Sequence, residues 1–524
     1  MIPVLTAAEM GQADRRTIAE VGIPGAVLME NAGSAVAAAI RRRYPETRRP
    51  VVLCGRGNNG GDGFVVAHRL LDLQPAVLVA GRKAEVKGDA RLQLEAWERA
   101  GGKVTELADV AAWDAARDVL GRADLVVDAL LGTGLRDAPS GLVARMIADL
   151  AKTAGAPIVA VDIPSGLSSD TGDVTWETVR ADVTVTFAAP KRGHVLPPAC
   201  DRVGDLIVAD IGIPAAVLAG TGTRLWLLEA SDAARAYAPR QPDAHKGTFG
   251  HVLLVAGSVG KTGAAILSAG GSLRAGAGLV TVATPAPALP LVAAGRPELM
   301  TEPLPVGGQD GLDGQARDRA LALARGKDAV VMGPGLGQDP ATREFVRGFI
   351  AGCEAPLVID ADGLNALAPA PGSPPRAAPA LPRRRAATVV TPHPGEMARL
   401  IGSEAGEVQR RRLEVAREFA AQTGAVVVLK GHRTIVADPD GRAAVNPTGN
   451  PGMATGGTGD VLSGILGALL ARGLEPWVAA TAAVYVHGLA GDVAAGRLGQ
   501  ESLLAGDLIE ALPEAIRSLG HAHS

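Results

Sequence analysis

Cysteine is scarce: Cys54, Cys200 and Cys353 are the only three in 524 residues. They form neither a C-x-x-C metal pair nor an even disulfide set, so a reducing cytosol is the expected compartment. No window is read as reaching the ~18 uncharged apolar residues that span a bilayer. A charged-then-apolar leader is missing too, because Glu9 interrupts the first apolar stretch. The expectation is a soluble, cytoplasmic protein without membrane contact. Basic blocks are short, Arg383 to Arg385 being one, and the net charge is −3. Nucleic acid is therefore not an expected partner. With 47% apolar and 20% charged residues the chain is globular rather than disordered. Its length argues for two or three domains.

Glycine, by contrast, is plentiful and placed. The stretch Asn446 to Asp460 reads N-P-T-G-N-P-G-M-A-T-G-G-T-G-D, and V-L-S-G-I-L-G-A-L-L-A-R-G follows. Val461, Leu462, Ile465, Leu466, Leu469 and Leu470 share a helical stripe, with Gly473 a C-terminal stop. Pro447, Pro451 and five glycines keep the preceding segment out of a helix. A backbone poor in side chains thus runs into a helix N-terminus, where free N–H groups and the dipole favour an anion such as phosphate. Asp460 stands at that start, where the dipole should keep it ionised and able to accept a proton. An anion hole beside a base suits phosphoryl transfer. Read alone, G-T-G-D is equally a glycine turn in which Asp460 caps a helix.

In the first half, strand candidates Val51–Cys54, Ala76–Ala80, Leu125–Asp128, Ile158–Asp162 and Val183–Phe187 alternate with helical segments at 63–73, 89–100 and 142–155. That alternation argues for a parallel sheet covered on both faces, with ligands at the carboxyl ends of strands. G-R-G-N-N-G-G-D-G (55–63), D-A-L-L-G-T-G-L (128–135) and D-I-P-S-G-L (162–167) each follow a strand. Three such loops on one edge describe a polar, glycine-lined crevice. The first matches G-x-G-x-x-G, but the next strand ends at Gly81, Arg82 and Lys83 without the usual acidic residue, which disfavours NAD-dependent hydride transfer.

In the second half, periodicity resumes after a thin stretch between Ile211 and Thr223. Gly260-Lys261-Thr262 is no P-loop, because Val255 stands where the first glycine is required. Strand ends lead into G-P-G-L-G (333–337), D-A-D-G-L-N (360–365), T-P-H-P-G-E (391–396) and K-G-H-R-T (430–434). Lys430 offers a compact point charge for phosphates. A lone strand-end histidine such as His393 is more often structural than catalytic. Asp360 and Glu396 could organise Mg²⁺ through water.

The ordered motifs of the first half resemble the NAD(P)H-hydrate epimerase domain. The second half resembles the ADP/ATP-dependent NAD(P)H-hydrate dehydratase branch of the ribokinase-like family. The resemblance implies an α/β protein of two domains, a Rossmann-like αβα sandwich over 1–221 and a ribokinase-like αβα domain over 222–524. It implies that Asn58, Asn59, Gly60, Gly61, Asp62, Gly132, Thr133, Gly134, Leu135, Arg136, Asp137, Ala138 and Asp162 contact the hydrated nicotinamide nucleotide. Asn59, Asp128 and Ser165 would hold K⁺. In the second domain Ala264, Gly335, His393 and Asp460 would meet the hydrate, and Lys430, Gly431, His432, Arg433, Thr434 and Gly459 the adenine nucleotide, with Mg²⁺. A homo-oligomer is the expected assembly.

Chemistry gives two of these residues a reason. Epimerisation breaks and remakes a bond at C6, a carbon bearing hydroxyl and ring nitrogen, so a positioned acid/base is needed; Asp162 can supply it. Lys191, in A-P-K-R-G-H, could assist or be an exposed loop lysine. Hydroxide leaves poorly, so phosphorylating the C6 hydroxyl from ADP or ATP, with Asp460 as base, converts the leaving group to phosphate. The rivals are a small-molecule kinase with a stable product and a non-catalytic nucleotide sensor. The Pro/Ala-rich stretch 368–385 reads as an inserted surface loop.

Overall fold

The computed structural model describes residues 1–153, 155–307, 311–369 and 381–520. Most of the Pro/Ala-rich stretch, 370–380, lies outside the described residues. The chain divides into two compact units, Ile2–Leu225 and Met1 with Trp226–Ser524.

The first unit is built on strands Pro50–Cys54 (β1), Ala76–Ala80 (β2), Val104–Leu107 (β3), Leu125–Ala129 (β4), Ile158–Val161 (β5), Val183–Phe187 (β6) and Asp205–Ala209 (β7). They form a seven-stranded sheet in the order β3-β2-β1-β4-β5-β6-β7, with every pairing parallel. Side chains alternate across it: Val52, Cys54, Val77, Val79 and Val127 join one apolar cluster, Val51, Leu53, Leu78, Ala80 and Val126 another. Both faces are therefore covered, as the apolar runs require. Sequence periodicity missed β3 and β7, which are edge strands with partly exposed, polar positions. The strand order reverses between β1 and β4, which opens a crevice beyond their carboxyl ends.

The second unit repeats the principle. Its strands are His251–Val255 (β8), Leu279–Pro285 (β9), Met300–Leu304 (β10), Ala329–Met332 (β11), Leu357–Ile359 (β12), Thr388–Val390 (β13), Val426–Leu429 (β14), Ile435–Ala437 (β15) and Ala443–Val445 (β16). In the sheet they run β16-β15-β14-β13-β12-β11-β8-β9-β10. Pairings are parallel from β14 to β10. An antiparallel extension through β15 and β16 continues the sheet on the other side.

Two helices of this unit, Thr262–Arg274 and Thr458–Ala471, touch backbone to backbone. A Cβ at Gly464 would lie 1.8 Å from the Ser268 carbonyl oxygen, and one at Gly271 2.4 Å from that of Val461. Glycine is thus obligatory at the crossing. The apolar helix Pro476–Leu498 corrects one expectation, because its length and mean hydropathy alone would let it cross a bilayer. Here it is a core helix, with Trp477, Ala480, Val484 and Ala490 buried in the cluster that also holds Val461, Leu466 and Leu512.

Candidate functional site

Each unit carries its own site. In the first, the chain leaves β1 at Gly55 and enters a helix at Asn58, running Asn58–Arg69 with Gly57 as N-cap. The sequence reading kept 55–63 as loop and began the helix at Gly63, so the helix starts five residues early. The glycines explain this. A Cβ at Gly60 would stand 1.9 Å from the Gly55 carbonyl oxygen, and one at Gly63 2.7 Å from Ala129 Cβ. They let the first helical turn press against the sheet edge and aim its free N–H groups at the crevice.

A cavity of about 860 Å³ opens there, lined by Asn58, Asn59, Asp62, the run Gly132 to Asp137, Asp162 and Lys191. Gly60, Gly61 and Ala138 are not among its lining residues; Gly61 packs toward Met29 and Ala90. Asp162 adopts left-handed backbone, φ 65°, a conformation that few residues besides Gly, Asn and Asp take up. Its Oδ1 accepts from Lys191 Nζ at 2.7 Å and from Thr186 Oγ1 at 3.0 Å. Lys191 is 1% exposed, so the exposed-loop reading of this lysine is corrected. Burial alone would raise the Asp162 carboxyl, but the Lys191 ammonium outweighs it and holds the group below its ordinary range. Asp62 is pushed the other way, by burial first and then by Asp162 and Asp14. His194 is driven down to about 3 by burial, so it is neutral and accepts from the Lys191 N–H through Nδ1 at 2.9 Å.

Beneath the crevice Asp128 is fully buried. Its carboxylate accepts from Ser165 Oγ at 2.6 Å and from Ser165 N–H at 2.8 Å, while Leu131 N–H donates to Ser165 Oγ at 2.9 Å. Burial raises Asp128 to about 6 despite those bonds. Asn59 lies against Gly132, next to Leu131, and both polar atoms of its buried amide lack a protein partner. An oxygen-rich buried pocket with an unpaired amide and a carboxylate that burial disfavours as an anion is suited to a hard cation.

In the second unit the loop Asn446–Gly457 is pinned from the helix Pro476–Leu498. Asn446 Nδ2 donates to Val484 O, Thr448 Oγ1 to Tyr485 O, and Asp492 accepts from Gly449 N–H and Asn450 Nδ2, both at 2.9 Å. His487, lowered to about 4 by burial and therefore neutral, bonds the Thr458 carbonyl through Nε2 at 2.9 Å. These ties fix the start of helix Thr458–Ala471. A cavity of about 690 Å³ lies over it, lined by His393, the run Lys430 to Thr434, Asn446 to Pro451, Thr458 and Gly459.

A charge cluster lies at the same helix start. Lys430 Nζ contacts Asp360 Oδ1 at 2.7 Å and Glu396 Oε2 at 3.8 Å, and Ser463 Oγ donates to the other Asp360 oxygen. A Cβ at Gly459 would be 3.2 Å from Lys430 Nζ, which places that glycine directly over the ammonium. Burial would lower Lys430, but Asp360 and Glu396 more than offset it, so the lysine stays charged. Burial raises Glu396 in spite of Lys430. With Asp360 engaged by Lys430 and Ser463, it already has its counter-charge without a metal. Asp460 departs from expectation: burial, then Asp360, raises it from 3.8 to about 7. Desolvation and like charge therefore outweigh the helix dipole, leaving a base poised near neutrality rather than a fully ionised one.

His393 is at once cap and cavity wall: its Nδ1 accepts from Gly395 N–H at 3.0 Å and Glu396 N–H at 3.3 Å, while its ring is half-exposed. Burial, with Lys430, holds the imidazole below its ordinary range. Gly335, at φ 66°, and Ala264 meet across the next loops, since a Cβ on the glycine would be 2.9 Å from Ala264 Cβ. Asp362 ties these loops together, accepting from Gly337 N–H at 2.8 Å and pairing with Lys261 at 3.2 Å. Asp362, Ser463, His487 and Asp492 were not singled out from sequence, and only a polar residue at a buried helical position hinted at the last three. All three cysteines are buried, and none belongs to either cavity.

Comparison with known proteins gives consistent matches. The profile of a family described as NAD(P)H-hydrate dehydratase matches residues 252–514, and that of YjeF-related protein N-terminus matches 25–193. The chain is 44% identical to the bifunctional NAD(P)H-hydrate repair enzyme Nnr of Moorella thermoacetica, covering 98% of this chain and 97% of that one. It is 38% identical to the enzyme of the same name from Escherichia coli, covering 97% and 93%. Among solved structures it is similar to the ADP/ATP-dependent NAD(P)H-hydrate dehydratase from Bacillus subtilis, co-crystallized with ATP/Mg²⁺. That match is 32% identical, covers 56% of this chain and 98% of that one, and has a TM-score of 0.49.

Proposed function

The chain belongs to the bifunctional NAD(P)H-hydrate repair enzymes, and on that premise we propose how its two sites divide the repair. The first unit interconverts the R and S forms of NADH and NADPH hydrate. The second dehydrates the S form to NADH or NADPH, spending ADP or ATP through a phosphorylated intermediate. One observation carries the division: each unit has its own cavity lined by a lysine paired with a buried aspartate, Lys191 with Asp162 and Lys430 with Asp360, and the carboxyls Asp162 and Asp460 are tuned oppositely.

In the epimerase site Asn58, Asn59, Asp62 and Gly132 to Asp137 bind the nucleotide, and Asp162 moves the proton of the C6 hydroxyl. Lys191 keeps Asp162 ionised and oriented. Asn59, Asp128 and Ser165 would hold K⁺, a fit supported by the unpartnered Asn59 amide. A bound K⁺ would supply fixed positive charge there. In the dehydratase site Ala264, Gly335 and His393 hold the hydrate, while Lys430 to Thr434 and Gly459 hold the adenine nucleotide. Asp460 takes the proton of the C6 hydroxyl as that oxygen attacks the terminal phosphoryl group, and Lys430 with the helix N–H groups stabilises the transferring charge. Mg²⁺, when bound with the nucleotide, would neutralise phosphate charge.

The test is direct. Purified protein with ADP or ATP and Mg²⁺ is added to prepared hydrate, and absorbance of the reduced nicotinamide is followed. Recovery of NADH that depends on the nucleotide supports the reading; phosphorylated hydrate accumulating without NADH would favour a plain kinase.

A further inference from the structure

We propose that Asp14 is a second proton-transfer residue of the epimerase site, acting on the ring nitrogen of the hydrate while Asp162 acts on its C6 hydroxyl. This rests on the epimerase reading above and extends it. Asp14 belongs to helix Ala7–Arg16, ahead of the first strand of the sheet. Met10, Asp14 and Ile18, four residues apart, line the same cavity as Asp162 and Lys191. Side chains at that spacing share one helical face. The stripe is apolar except for Asp14, so one carboxyl faces the cavity between two hydrophobic side chains.

That carboxyl is held in place by the helix and by nothing else. A capping box of Thr6 and Glu9, together with a bond from Ala7 N–H to Asp170 at 2.6 Å, fixes the helix start. Among the described residues the Asp14 carboxyl has no hydrogen bond or ion pair, and the charges acting on it are those of Lys191, Asp162, Arg15 and Asp62. Burial raises it above the ordinary carboxyl range, and Lys191 offsets only part of that. Asp162, bonded to Lys191, lies below that range. One cavity thus contains a carboxylate held in its ionised form, free to receive a proton, and a carboxylic acid that retains one to higher pH, the pattern of an acid–base pair.

The hydrate gives such a pair a closed cycle. Asp162 takes the hydroxyl proton, the C6 oxygen forms a carbonyl, and the C6–N1 bond breaks with its electrons going to nitrogen. Asp14 delivers its proton to that nitrogen. The open aldehyde rotates about the C5–C6 bond and presents its other face. Nitrogen then re-attacks C6, returning its proton to Asp14, while Asp162 returns a proton to oxygen. Both carboxyls end as they began, with no oxidant or extra reactant. Asp62 also borders the cavity, in the first turns of helix Asn58–Arg69, but it is only 8% exposed. Asp14 is the more open of the two and sits on the apolar face where a ring would rest.

The experiment uses the full chain without adenine nucleotide and follows R-to-S conversion of NADH hydrate chromatographically from acid to alkaline pH. Asp14→Asn should cut kcat by about 10²-fold or more with KM little changed. It should also remove the fall in rate that deprotonation of Asp14 produces in the wild type as pH rises. Asp14→Glu should recover part of the rate, S-hydrate dehydration by the same variants should stay at the wild-type rate, and urea unfolding followed by a probe in the first unit verifies its fold. In ¹⁸O-enriched water the C6 oxygen should be retained through epimerisation. Wild-type kcat in Asp14→Asn, or loss of that fall in rate in Asp62→Asn alone, overturns the assignment. One solvent oxygen entering per epimerisation overturns it as well, because that marks loss and re-addition of water. A wild-type chain that fails to interconvert the epimers would instead overturn the epimerase reading itself.

Discussion

Asp460→Asn should make the second unit more stable while removing its dehydratase activity. The carboxyl is raised from 3.8 to about 7, mainly by burial and Asp360. A carboxyl raised on folding binds its proton more tightly in the native than in the unfolded chain. Native stability is therefore unaffected below the unfolded value, falls as pH climbs from about 4 to about 7, and is flat above. The displacement corresponds to about 4 kcal/mol at pH 8, taken as an upper bound. Against it stands the helix dipole, which favours an anion in the first turn by about 0.3–1 kcal/mol and is forfeited by asparagine. Burial wins, so the variant should gain on the order of 3 kcal/mol at pH 8 and nothing at pH 4. Urea unfolding of wild type and variant between those pH values, with a probe in the second unit, measures the difference. A variant that is less stable at pH 8, or a difference that does not change with pH, refutes the reasoning.

Lys430→Met leaves Asp360 buried beside Ser463 without its ammonium, so it should cost about 3–5 kcal/mol in urea unfolding. It should weaken adenine-nucleotide binding by calorimetry and leave epimerisation intact, and Asp360→Asn added to it should restore part of the stability. Asn59→Ala removes the unpartnered amide beside Gly132, and it should abolish stimulation of epimerisation by K⁺ relative to Na⁺; an unchanged K⁺ response would remove Asn59 from the cation site.

Much of this was legible because strand ends are marked twice, by an apolar run and by the glycines or carboxylates that follow it. Asp162, Lys430 and the Gly459–Asp460 turn were all found that way, and each lies where its strand or helix boundary put it. Helix starts were less clear. Gly60 and Gly63 read as loop because the sequence cannot say that this helical turn packs too closely on the ends of β1 and β4 for a Cβ. Protonation was also hidden: the dipole at Asp460 is local and visible in sequence, whereas the opposing field of Asp360 comes from a residue a hundred positions away. Lys191 looked like a loop lysine for the same reason, since its partner lies on the preceding strand end. Asp14 carries no motif; its i, i+4, i+8 stripe is readable, but not the cavity it faces.

The most direct measurement follows consumption of a mixture of hydrate epimers by Asp162→Asn and Asp460→Asn, each alone and then mixed, with adenine nucleotide and Mg²⁺ present. Asp162→Asn should consume the S form and then stall at the slow spontaneous interconversion rate, Asp460→Asn should form no NADH, and the mixture should consume both epimers. Folded Asp162→Asn draining both epimers in one phase at the wild-type rate, or Asp460→Asn forming NADH normally, would contradict the two-site account.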